Sequence, residues 1–94
     1  MRSDTLFLTM VGEYFDQCEV GTKKIEYRLR TKYWQSRVEN PDLKRIEMRR
    51  GRRAKKGDPK NLVFEWNGYT ETTIIHPLFG KDPVEVYAIP LVKL

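Results

Sequence analysis

Eight consecutive residues, Gly21-Thr22-Lys23-Lys24-Ile25-Glu26-Tyr27-Arg28, hold the densest polar constellation in the chain. From Lys24 to Arg30 charged and apolar residues alternate, the period of a half-buried strand. That alternation predicts Ile25, Tyr27 and Leu29 on one face and Lys24, Glu26, Arg28 and Arg30 on the other. Lys23 stands at the strand's entrance. An ammonium, a carboxylate and a guanidinium held together can grip an anion or the polar edge of a base. They can also shift one another's ionisation enough for acid–base work. The plainer reading is a salt-bridge cluster on an exposed strand, which contributes little energy. Spacing alone leaves both readings open.

Other residues could serve the same chemistry. Tyr33 and Trp34 follow closely and could stack on a base, although adjacent aromatics on a short helix usually supply one core residue and one rim residue. Trp34 is expected in the core and Tyr33 at a cleft rim. Arg37, one turn on, could reach that cleft or solvate the helix end. His76, the single histidine, has no partners of metal-ligand type and spacing, and reads as a plain strand-end residue. Cys18 reads as a small buried hydrophobe. No metal site and no cofactor is expected.

The 94 residues carry 18 Lys+Arg against 13 Asp+Glu, a net charge of +5. The charge is concentrated. Lys44 to Lys60 holds nine basic residues against Glu47 and Asp58, a local balance of +7, and the remainder holds nine basic against eleven acidic, −2. Within it Gly51 and Gly57 bracket Arg52-Arg53-Ala54-Lys55-Lys56, which predicts a basic loop over about residues 49–60, projecting as a mobile tip between two strands. Such a cluster can draw binding energy from phosphate neutralisation. It could equally be a solvated loop that aids solubility.

One domain over residues 1–94 is expected at this length, with a small core. The lone Cys18 excludes a disulfide framework. No run of about 18 apolar residues exists, and Met1-Arg2-Ser3-Asp4 lacks a signal peptide's apolar stretch, so a soluble cytoplasmic protein with no membrane partner is expected. Oligomeric state is left open.

The elements that must position these groups can be read in order. Thr5 to Met10 suits a buried strand, and Val11, Tyr14, Phe15 and Cys18 form a helical stripe ending before Gly21. After the alternating strand, Thr31 can cap a short helix through about Val38, stopped by Asn40-Pro41. Ile46 and Met48 mark a strand entering the basic loop. Leu62, Phe64 and Trp66 mark the next, with Trp66 in the core, and Asn67-Gly68 is a type I′ hairpin signal leading into a strand from Tyr69 to His76. Val84 to Leu91 is the last strand, and Pro90 suggests an edge or bulge. The order β-α-β-α-β-β-β-β predicts an α+β fold built as a small barrel or strongly curved sheet with two short helices.

Gly21-x-Lys23-x-x-Glu26-x-Arg28 resembles the G-x-K-x-x-E-x-R signature of the ASCH domain, a member of the PUA-like superfamily. The aromatic pair Tyr14-Phe15 on the first helix, the Tyr33-Trp34 helix, Asn67-Gly68-Tyr69 and the closing Val86–Leu91 strand resemble the family too. The resemblance implies a β-barrel with helices beside it and an RNA- or nucleotide-binding role. It implies a cleft lined by Lys23, Glu26 and Arg28, with Gly21 allowing the turn. Family members that look like acetylcytidine amidohydrolases place a Thr where Glu26 stands and carry an acidic residue in a longer insertion before the last strand. Here the corresponding interval, Leu78 to Pro83, is short. A ribonuclease would use Lys23, Arg28 and the basic loop to stabilise phosphate charge, with Glu26, or Lys23, in the catalytic role. Three readings follow: binding of RNA or a nucleotide at Lys23, Glu26, Arg28 and Tyr33 with Arg52, Arg53, Lys55 and Lys56 alongside; a nucleic-acid-directed hydrolase on the same cleft; or a module that docks an acidic protein partner.

Overall fold

In β1 (Thr5–Met10) every second residue is buried: Leu6, Leu8 and Met10 enter the core, and Thr5, Phe7 and Thr9 face the other way. The structure, a computed structural model, describes residues 4–51 and 55–93. β1 pairs in parallel with β3 (Arg45–Arg50), whose Ile46 and Met48 are fully buried. Between them the chain makes α1 (Gly12–Glu19), β2 (Ile25–Leu29) and α2 (Lys32–Val38). β4 (Leu62–Glu65) runs antiparallel to β3, and β7 (Val92–Lys93) closes this four-stranded sheet in the order β1-β3-β4-β7. β2, β6 (Val84–Pro90) and β5 (Thr70–Ile74) form a second, antiparallel sheet in the order β2-β6-β5. Both helices and the core elements were legible. The fold is α+β with two short helices and two sheets.

Among the described residues strand pairing does not close these sheets into a barrel. The chain instead changes sheets at Leu91, between β6 and β7, where its N–H donates to the Lys24 carbonyl at 2.8 Å. On the other side Arg28 Nη2 crosses from β2 to the Thr9 carbonyl on the free edge of β1, at 3.2 Å. One sequence expectation is overturned. Asn67-Gly68 is not a hairpin turn: Gly68 has φ +79°, but β4 and β5 belong to different sheets and do not pair. Pro90 lies on the central strand β6, tolerated because β5 covers only Val84 to Ala88 and Pro90 has a partner, Ile25, on one side alone.

The core gathers Leu6, Leu8, Met10, Phe15, Cys18, Val38, Ile46, Met48, Phe64, Tyr87 and Ile89. Phe15 and Cys18 are the buried face of α1, while Val11 lies just outside it as an exposed N-cap. Burial of side chains of this kind stabilises the fold by about 1.5–3 kcal/mol each. Trp34 and Trp66, both expected inside, are only partly buried against this cluster.

Candidate functional site

Gly21 ends α1 with φ +84°, a conformation that penalises any residue with a Cβ. Its N–H donates to the Cys18 carbonyl, and the N–H groups of Thr22 and Lys23 both donate to the Gln17 carbonyl. This turn feeds Lys23 onto the mouth of β2. The burial expected from the alternation over Lys24 to Arg30 is reversed at its start: Ile25 is exposed, Glu26, at 6% exposure, is the one charged residue among the described buried set, and Tyr27, Arg28 and Leu29 are half-buried. A carboxylate is retained there because its partners come with it. Oε2 accepts from Arg28 Nη2 at 2.7 Å, Oε1 accepts from the Tyr27 N–H at 3.1 Å, and Lys23 Nζ lies 3.5 Å from Oε1.

These three side chains converge. Lys23, Glu26 and Arg28 all line one cavity of about 280 Å³, with Tyr14 and Tyr27 beside Lys23. The Lys23 ammonium sits 5.8 Å from the centroid of each tyrosine ring. The Arg28 guanidinium stacks 4.9 Å above Trp34, and its Nε is buried without a hydrogen-bond partner. Trp34 therefore acts as a wall, and its helix is fixed by Thr31, whose hydroxyl accepts from the Trp34 N–H at 3.3 Å. Each Glu26 oxygen accepts at least one bond and retains capacity for another, as a carboxylate has about four acceptor positions. The site thus offers two cationic donors, one acceptor and aromatic walls within one small space.

His76, just past the end of β5, also lines this cavity. Its Nδ1 accepts from the Leu78 N–H at 3.1 Å, opening the 3₁₀ turn Pro77–Phe79, and its ring packs 5.7 Å from Phe79. The uncharged ring then carries its proton on Nε2. Only the β5–β6 connection brings it there, and nothing in its local sequence marked it.

The remaining candidates divide. Tyr33 is exposed and lines a second, larger cavity of about 790 Å³, together with Arg37, Arg49 and Lys56. Lys55 is exposed and lines neither cavity. Arg52 and Arg53 lie outside the described residues. The expected mobile tip lies largely on residues outside the described ones; just past it, Glu47 Oε2 accepts from the Gly57 N–H at 2.6 Å and from Asn61 Nδ2 at 2.8 Å. Cys18 lies under the motif; burial pushes its thiol pKa up, the Glu26 charge adds to this, and Lys23 opposes it. No group of three or more His, Cys, Asp or Glu side chains suited to a metal ion occurs among the described residues. No helix there is long and apolar enough to cross a membrane.

No protein-family model, curated protein or solved structure matches the chain.

Proposed function

We propose that the protein is an RNA- or nucleotide-binding module of the ASCH, PUA-like kind, taking a base or nucleoside in the cavity lined by Lys23, Glu26 and Arg28. The observation that carries this reading is the convergence of these three side chains on one aromatic-walled cavity. Arg28 supplies a planar fork suited to a carbonyl edge or a phosphate, and Lys23 supplies a compact charge. Glu26 accepts from a base amino group through its remaining acceptor capacity. Trp34 and the two tyrosines provide flat apolar surface, which favours a ring over a simple anion. The basic stretch around Lys55 and Lys56 raises the local concentration of polyanion.

A hydrolase on the same cavity is the second reading, favoured by one observation: His76 shares the lining with Lys23 and Glu26. Against Glu26 as a general base stands the occupation of both its oxygens, by Arg28 and by Lys23 and the Tyr27 amide. One experiment separates the two. Labelled single-stranded RNA is titrated and incubated with the protein, with Glu26→Gln and with His76→Ala. Binding without turnover that weakens in Glu26→Gln supports recognition; turnover abolished in both variants supports hydrolysis. No binding by folded protein at low salt overturns both.

A further inference from the structure

Thr9, Arg28 and Trp34 line both cavities, so the motif cavity and the larger one meet at a single guanidinium and a single indole. The larger cavity lies between α2 and the non-core faces of β1 and β3, where Phe7, Thr9, Glu47 and Arg49 turn away from the core. Besides Arg28, its cations come from three different parts of the chain: Arg37 on α2, Arg49 on β3 and Lys56 within the basic loop. Two of them lie against rings. The Arg37 guanidinium sits 3.5 Å from the Tyr33 centroid, and Lys56 Nζ sits 4.4 Å from that of Phe7. Among the described residues no carboxylate comes within ion-pair distance of Arg37 or Lys56.

Glu47 is the one carboxylate on this lining, and its Oε2 is committed to holding the loop stem through Gly57 and Asn61. Asn61 Nδ2 also donates to the Lys55 carbonyl at 2.8 Å, which fixes the backbone next to Lys56. The acid therefore helps to present a cation. Cations interleaved with aromatic rings are the arrangement that tracks a single strand, with phosphates on the charges and bases on the rings. An acidic peptide would use the charges and leave the rings idle.

We infer that the larger cavity takes the backbone phosphate and neighbouring base of a single-stranded oligonucleotide whose anchoring nucleoside occupies the motif cavity, with Arg28 at the junction. This rests on the reading above and extends it: the ligand is a strand of at least two nucleotides. Neither cavity does this alone.

The test titrates an uncharged ribonucleoside, a single-stranded oligoribonucleotide and inorganic polyphosphate against the protein, Lys23→Ala, and the double variant Arg37→Gln/Lys56→Gln. The double variant is expected to bind the oligonucleotide about tenfold more weakly. Its plot of log affinity against log salt should flatten by about 1.4, two single-strand phosphate contacts' worth. Nucleoside binding should be unchanged in it, whereas Lys23→Ala weakens both ligands. Oligonucleotide binding indifferent to the double variant, or polyphosphate bound as tightly, overturns the groove and leaves the motif reading standing. Loss in the double variant with Lys23→Ala silent overturns the motif reading and keeps the groove as a separate strand-binding surface. No binding of nucleoside or oligonucleotide overturns both.

Discussion

Arg28 lies on β2 and Arg30 just beyond its end, yet the two guanidiniums meet different surroundings. Arg28 has one carboxylate, Glu26, and also holds the Thr9 carbonyl and the Trp34 face while lining both cavities. Arg30 has two, Glu71 and Glu85, each 3.5 Å away and well exposed, and it lines neither cavity. It covers Tyr87 at 5.9 Å from the ring centroid. The same residue type is thus a cross-sheet clip with a face toward a cavity in one place and a neutralised surface pair in the other. What separates them is the ratio of carboxylates to cations and the concavity around them, neither of which a charge count reports.

The contrast can be broken most sharply at Arg28. Arg28→Ala leaves Glu26 with Lys23 and one amide in a buried setting and opens the contact between β2 and β1. It should cost about 2–3 kcal/mol of stability, below the cost of fully orphaning a buried charge, read as a fall in the urea midpoint. RNA binding should weaken at least about tenfold, the loss expected of one charge-assisted hydrogen bond.

On Arg30's side the sensitive group is Tyr87. Burial first, then its 2.5 Å hydrogen bond to Glu39 Oε2 and that carboxylate's charge, push the Tyr87 pKa up to about 12. The folded state therefore keeps a proton that the unfolded chain releases near the ordinary tyrosine pKa of 10. This contribution to stability is complete below pH 10 and is lost as pH rises through about 12. Chemical denaturation along an alkaline series should show that decline. Tyr87→Phe should make it shallower without removing it, because Tyr69 is also raised, mainly by burial.

Smaller effects follow. Thr31→Ala removes the cap of the helix that carries Tyr33, Trp34 and Arg37, and should lower stability by about 1 kcal/mol. RNA affinity should fall with it, since both cavities borrow a wall from α2. Arg30→Ala should change stability by less than about 1 kcal/mol, with RNA affinity untouched. If Arg30→Ala weakened RNA binding as much as Arg28→Ala, the distinction between the two surroundings would be lost.

Much of this architecture was legible in local pattern. The helical stripe through Phe15 and Cys18, the Thr31 cap and the positive φ of Gly21 follow from side-chain spacing and backbone sterics. So does the proximity of Glu26 and Arg28, because i, i+2 neighbours share a strand face, whereas Lys23 is brought in by the turn before β2. Which face goes inward was not legible. An alternating strand reads equally well both ways, and hydrophobicity favours Ile25, whereas the paired Glu26 is the residue buried. The second cavity was hidden for a different reason. It needs β1 beside β3 in parallel, a contact across 40 residues that sets Thr9 opposite Arg49 and bonds them at 2.7 Å. His76 likewise reaches the motif only through the path of the β5–β6 connection. Asn67-Gly68 misled because a turn signal specifies backbone geometry and not which strands the turn joins.

The most direct measurement exchanges each arginine for lysine, which keeps the charge and removes the planar fork. Single-stranded RNA is titrated against the protein, Arg28→Lys and Arg30→Lys at one low ionic strength, with folding checked by circular dichroism. A cavity that reads its ligand through Arg28 predicts about tenfold weaker binding for Arg28→Lys and a dissociation constant within about twofold for Arg30→Lys. Equal affinities for all three proteins would mean that charge alone holds the RNA, and would contradict a recognition site at Lys23, Glu26 and Arg28.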